Sequence, residues 1–159
     1  MFDNSFIGFR LEFRRSGQVT GSNQSHIMAD NFIEVFKRLK TIFKPYVKKM
    51  DVAHDTDSYY LLNTRHIMKN KQPLCFGGVR RGKNYVSFYL MSIYSSSEEA
   101  KAISPELKKR MQGKSCFNFT KVDERLFQEL AKLTKAGAAR FGDETFIDSL
   151  RKAQATARH

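Results

Sequence analysis

The first residues able to do chemistry are His54, Asp55 and Asp57, an imidazole and two carboxylates close together in the chain. A hard cation would take the carboxylate oxygens and a transition metal the imidazole. The same stretch, Asp55-Thr56-Asp57-Ser58, also has the composition of a hairpin turn, because short polar side chains bond back to turn backbone. The turn is the expectation, with no cofactor. His66 and Glu98-Glu99 lack partners at ligand spacing, and neither Cys-x-x-Cys nor His-x-x-x-His occurs, which argues against structural zinc. Lys114 stands two residues before Cys116, and a nearby cation can lower a thiol pKa. Yet Cys75 and Cys116 both lie among apolar residues and read as buried, reduced thiols. No Gly-x-Ser-x-Gly elbow is present, and the glycines of Phe76–Lys83 lack Walker spacing. The residue pattern gives catalysis little support.

Two further patterns concern nucleic acid. Arg81-Gly82-Lys83-Asn84-Tyr85-Val86-Ser87-Phe88 follows much of the RNP1 octamer, whose aromatic residues stack bases on an open sheet. Its third position should be aromatic and is Lys83, and its fourth should be small and is Asn84. The order of elements also departs from an RRM domain, which begins with a strand. The charge is more informative. The chain has 28 Lys and Arg against 16 Asp and Glu, a net charge of +12. Residues 65–83 carry Arg65, Lys69, Lys71, Arg80, Arg81 and Lys83 and no acid. Residues 101–122 carry Lys101, Lys108, Lys109, Arg110, Lys114 and Lys121 against Glu106 alone. Residues 51–64, with Asp51, Asp55 and Asp57, have the opposite sign. Arg80, Arg81 and Lys83 are expected at one hairpin turn, and Lys108, Lys109 and Arg110 on one short helix. Sharing a face, they would hold polyanions, and such a face attracts nucleic acid, acidic protein or a phosphorylated small molecule. A solvated surface that only keeps the chain soluble accounts for the same charge.

These residues need elements to position them. A length of 159 residues suits one domain, and 41% hydrophobic residues with 14 Phe can fill a core without Trp. No apolar run approaches the ~20 residues of a membrane span. Residues 1–27 show no sustained period and read as a poorly structured extension lacking a signal-peptide apolar core, so the cytoplasm is the expected compartment. At Met28 a native start is expected, with Asp30 or Asn31 capping a helix whose apolar stripe is Phe32, Phe36, Leu39 and Phe43, ended or kinked by Pro45. Met50–His54 and Tyr59–Leu62 read as strands around a polar turn, with a basic loop at 65–71. Pro73–Arg80 reads as a strand whose Gly77-Gly78 marks a bulge or a close approach. Asn84–Tyr94 reads as the longest strand. Ser104 before Pro105 opens a short helix that stops near Gly113. Cys116–Val122 reads as the last strand, and Asp123 caps a helix bearing Leu126, Phe127, Leu130 and Leu133. The tail from 142 has room for one short helix.

The sequence resembles a known family in Pro73-Leu74-Cys75-Phe76-Gly77-Gly78-Val79 with Lys83-Asn84-Tyr85-Val86-Ser87-Phe88, and in Ile103–Phe119 with its Ser104-Pro105-Glu106-Leu107 start. These stretches are similar to the YdhG-like family of small bacterial proteins of unknown function. The resemblance spans 28–141 and implies a compact α+β fold of the frataxin kind. A relative's link to intracellular iron handling makes an iron carrier one expectation. Frataxin-type iron binding uses an acidic ridge, whereas the first helix here carries mostly Lys and Arg. The resemblance carries over no site residues.

The sequence thus predicts an antiparallel sheet of about five strands with helices on one face, in the order α-ββββ-α-β-α. The expected function is a non-enzymatic binding or adaptor module. Its rivals are an iron carrier using His54, Asp55 and Asp57, and a polyanion binder using Arg80, Arg81, Lys83, Lys108, Lys109 and Arg110. Partners and oligomeric state stay open, a homodimer included.

Overall fold

Phe32, Phe36, Leu39 and Phe43 recur at three- and four-residue steps, which stacks them along one side of a helix. The computed structural model describes residues 22–156 and places the first three in helix α1 (Ser22–Thr41), with Phe43 just beyond its end. All four are buried, while Lys37 and Arg38 face solvent. The helix runs unbroken through Met28–Asn31, so Asp30 and Asn31 lie inside it and cap nothing. A polar residue caps only where the backbone leaves the helical region, and here it does not. The expected boundary between 27 and 28 therefore falls within a helix, and residues 1–21 of the expected extension lie outside the described residues. Pro45 sits in a 3-10 turn, Lys44–Tyr46, where its missing N–H breaks no helical ladder.

The strands are β1 (Asp51–Asp55), β2 (Tyr59–Ile67), β3 (Pro73–Arg81), β4 (Val86–Leu90), β5 (Met111–Gln112) and β6 (Cys116–Phe119). They form one sheet in the order β1-β2-β3-β4-β6-β5, with every neighbouring pair antiparallel. The class is α+β as expected, with six strands where about five were read. The additional strand is β5, whose two residues are too short to show a period. Other boundaries move too: β6 ends at Phe119 where Val122 was expected, and β4 starts at Val86 where Asn84 was expected. β2 extends to Ile67, so the basic loop shrinks to a turn in which Lys71 takes a positive φ of 62°. β4 stops at Leu90, and the chain coils into α2 (Met91–Ser95) and α3 (Ser97–Ala102). The short helix α4 covers Pro105–Lys108 only. α5 (Glu124–Arg140) and α6 (Glu144–Thr156) complete the fold.

Three caps hold helix starts as their residue types dictate. The Ser96 hydroxyl accepts the Glu99 N–H at 3.1 Å, the Ser104 hydroxyl accepts the Leu107 N–H at 3.1 Å, and Asp123 Oδ1 accepts the Leu126 N–H at 3.2 Å. Strand alternation sends Val86, Phe88 and Leu90 to one face of the sheet. Register aligns Tyr60, Val79, Phe88 and Phe117 across it on that side. The Phe43 ring stacks on Phe88 with centroids 5.0 Å apart and meets Phe76 edge-on at 6.0 Å. Phe76 in turn meets Phe141, and Phe141 meets Phe146 of α6, both edge-on. Ile147 and Leu150 are buried in the same core, so the tail beyond 142 is a docked helix.

Three glycines allow close approaches, and a Cβ on Gly78 would fall 2.5 Å from the Tyr60 carbonyl oxygen. A Cβ on Gly77 would fall 2.6 Å from the Tyr89 carbonyl oxygen and 2.8 Å from the Phe43 ring. At the same place the β2–β3 register slips between Leu62↔Gly77 and Asn63↔Cys75, leaving Phe76 as the extra residue of a bulge. Gly77-Gly78 therefore meets both expectations for it. In α5, a Cβ on Gly137 would fall 2.3 Å from Ser92 Oγ and 2.8 Å from Ser92 Cβ. Ser92 is fully buried in α2 and its hydroxyl has no hydrogen-bond partner among the described residues.

Gly137→Ala should accordingly lower stability, although Ala normally favours a helix interior by about 1 kcal/mol. Overpacking costs about 1–3 kcal/mol, and each kcal/mol moves the midpoint by about 2–4 °C in a chain of this size. Ser92→Ala alone should hold or raise the midpoint by removing an unpaired buried hydroxyl. Adding Ser92→Gly to Gly137→Ala should recover part of the loss. Thermal unfolding of the variants checks this, and a Gly137→Ala protein more stable than the parent would refute the packing account.

Candidate functional site

With the core on one face, alternation places a different set of side chains on the other. Register aligns Tyr59, Arg80, Ser87 and Asn118 across four strands, and Asn118 donates its N–H to the Arg110 carbonyl at 2.8 Å. Carried one residue past β5, the β5–β6 register therefore sets Arg110 opposite Asn118. A second row aligns His54, Leu61, Gly78, Tyr89, Cys116 and Gln112. Polar side chains tie the middle together: Ser87 Oγ donates to Asn118 Oδ1 at 2.7 Å, and Asn118 Nδ2 donates to Gln112 Oε1 at 2.6 Å. Neighbouring strands lie about 4.8 Å apart, so Arg80 on β3 and Arg110 beside β5 are about 14 Å apart across this face.

Strand direction decides what else gathers there. The β3–β4 hairpin, the C-terminus of β6 and the N-terminus of β5 all lie at one end of the sheet, because Arg81 pairs with Val86, Val86 with Phe119, and Met111 with Phe117. Arg80, Arg81, Lys83, Lys108, Lys109 and Arg110 therefore come to a single end. They do not share a single face. Arg80 is exposed on the open face, whereas Arg81, one residue on, turns toward the helical side and is half-buried. Lys108 and Lys109 are exposed at the end of α4. Among the described residues, no ion pair involves Arg80, Arg81, Lys108, Lys109 or Arg110.

The acidic group lies at the same end on the opposite flank. The β1–β2 turn holds Asp57, and the Arg81 N–H donates to the Ser58 carbonyl at 2.8 Å. The Thr56 hydroxyl accepts the Tyr59 N–H at 3.0 Å, which fixes a polar turn. The His54 ring stacks on Tyr59 with centroids 4.9 Å apart, and Asp55 is ion-paired with Lys40 of α1. Among the described residues, no three His, Cys, Asp or Glu side chains are grouped as a metal ion would require. The RNP1-like octamer is likewise divided by the fold: its final aromatic, Phe88, is fully buried against Phe43.

Sequence reasoning missed the open-face partners of the arginines. Tyr85, Ser87 and Tyr89 alternate visibly, but Tyr59 and Asn118 join them only through cross-strand register, which a single sequence does not display. The open face also holds both thiols, free as expected but on part-buried rather than fully buried residues. Burial pushes the Cys75 thiol up to about 12 and also raises Cys116, so Lys114 does not activate it. Burial, followed by the neighbouring thiols, raises Tyr89 far above the ordinary phenol value. Burial also raises Tyr59, and the Arg80 charge opposes that rise.

Cys75 makes stability pH-dependent in a defined direction. Its ordinary value is 9.0 and its folded value about 12, so the unfolded chain releases this proton first. The associated stability is intact below pH 9 and is lost as pH rises from there toward 12. The thermal midpoint should fall over that window, and Cys75→Ala should flatten the fall. At pH 8, iodoacetamide should label Cys75 only after unfolding. Rapid labelling of the native chain would contradict the buried thiol.

No protein-family profile, no curated protein and no solved structure matches this chain.

Proposed function

We propose that this chain is a non-enzymatic, cytoplasmic binding module of the YdhG-like type that takes anionic partners at the basic end of its sheet. One observation carries the reading: antiparallel register gathers Arg80, Arg81, Lys108, Lys109 and Arg110 at that end, where no carboxylate pairs with them among the described residues. Cations that neutralise phosphate or sulfate groups displace the counterions condensed on a polyanion, which drives association. An antiparallel sheet with helices over one face also suits the YdhG-like resemblance. For the iron-carrier alternative, Asp55 is held by Lys40, so a cation at the β1–β2 turn would first have to displace an internal ion pair.

The test is retention on heparin and on a short DNA duplex as a function of salt. Binding should be weak and indifferent to sequence, with log affinity falling linearly against log salt. Each phosphate contact contributes a slope of about −0.9. Arg80→Gln with Arg110→Gln should flatten that slope at a stability cost of about 1 kcal/mol at most, since Arg80 is exposed and Arg110 half-buried. No retention at low salt, or an unchanged slope in the double variant, would overturn the reading.

A further inference from the structure

Between α2, α3 and the outer edge of β5 lies a cleft of ≈ 550 Å³. β5 is the last strand of the sheet and only two residues long, so beyond it the helical face has no further strand for support. The floor is carbon: Ile93 and Ile103 are buried, and Met111 is half-buried. Two ammonium groups, Lys108 and Lys114, line it, and no carboxylate does. At its mouth the Tyr94 ring is 55% exposed, unusual for so large an apolar surface, with Lys114 Nζ 5.5 Å from its centroid.

An apolar floor, an exposed ring and a pair of cations define one ligand class. A neutral apolar molecule would leave the two ammonium groups unused, and a bare inorganic anion would leave the floor wet. We infer that this cleft binds a small amphipathic anion, with a ring system or short acyl chain on the Ile93–Ile103–Met111 floor and one carboxylate or phosphate between Lys108 and Lys114. The volume falls within the range of small-molecule sites, which combine mostly apolar walls with a few placed polar groups. Tyr94 covers the bound apolar body with its ring, and Lys114 exchanges a contact over that ring for a charge-assisted hydrogen bond to the headgroup. The inference goes beyond the polyanion reading and shares only Lys108 with it.

Calorimetric titration with 2-naphthoate, 1-naphthyl phosphate and the uncharged 2-naphthalenemethanol tests it. At least one of the two anions should bind, and about tenfold more tightly than the alcohol, as a charge-assisted bond implies. Preference between carboxylate and phosphate then identifies the headgroup. Lys108→Gln with Lys114→Gln, both at exposed positions, should weaken anion binding about tenfold without loss of thermal stability. Ala100→Trp, which fills the cleft, should abolish binding. Arg80→Gln with Arg110→Gln should leave naphthoate affinity intact while altering heparin retention, so the two readings fail independently. Equal affinity for alcohol and anions, unchanged affinity in the lysine double variant, or no anion binding at millimolar concentration would overturn the inference.

Discussion

The Phe43 ring lies directly on the backbone of Gly77, and the rest of the core is arranged around that contact. No side chain fits between them, since even a Cβ at Gly77 would fall 2.8 Å from the ring. The gap lets Phe43 stack flat on Phe88 at 5.0 Å and meet Tyr60 and Phe76 at 6.0 Å each. Aromatic pairs of this kind add about 0.5–1.5 kcal/mol beyond the area they bury. One residue thus ties the exit of α1 to three adjacent strands. The chain of edge-on rings from Phe76 through Phe141 to Phe146 then extends the same packing to α6. The bulge at Phe76 belongs to this arrangement, because the extra residue turns a phenyl ring into the core beside the glycine.

Placing the bulky apolar side chains on one face leaves the other for polar and reactive groups. In β4 alternation alone settles the matter: Val86, Phe88 and Leu90 are buried and Ser87 and Tyr89 only partly so. Antiparallel pairing then aligns open-face residues from separate stretches of chain into rows. The arginines, serine and asparagine of one row come from β3, β4, β6 and the residue just before β5, and the Ser87–Asn118–Gln112 hydrogen bonds connect β4, β6 and β5. The thiols pack into the same face, where burial raises both above the ordinary thiol value.

Much of this was legible wherever a local rule decides. The apolar stripe of α1, Ser104 with Pro105, Asp123 as a cap, the polar turn after His54 and the Gly77-Gly78 close approach all follow from residue type and spacing. The misses share a cause. Asp30 and Asn31 look like a cap, but the backbone on both sides stays helical and overrides them. Met91 continues the alternation of β4 as if the strand ran on, yet Met91, Ser92 and Ile93 are buried in succession, because α2 packs against Gly137 of α5. That contact spans 45 residues and leaves no local trace. The candidate site divides in the same way. Its charges were visible in sequence, whereas the separation of Arg80 from Arg81 onto opposite faces, and the cleft beside Tyr94, depend on pairing and packing.

Composition alone forces part of the electrostatic result. With 28 basic and 16 acidic side chains, at least 12 cations lack a one-to-one partner, whatever the fold. What the fold decides is where the surplus goes. Carboxylates meet Arg38, Lys40, Arg65, Arg140 and Arg151 in ion pairs. The Arg140 pairing is the most demanding, since Glu99 is buried and its charge would be costly alone; Arg140 Nε lies 2.8 Å from it. Placing acids at these structural positions leaves β3 and β5 without any and α4 with Glu106 alone. A surplus spread evenly would act chiefly on solubility. Here strand direction brings Arg80, Arg81, Lys108, Lys109 and Arg110 to one end of the sheet, with an acidic turn on the far flank. Under the proposed function, the resulting gradient would orient an approaching anion as well as attract it.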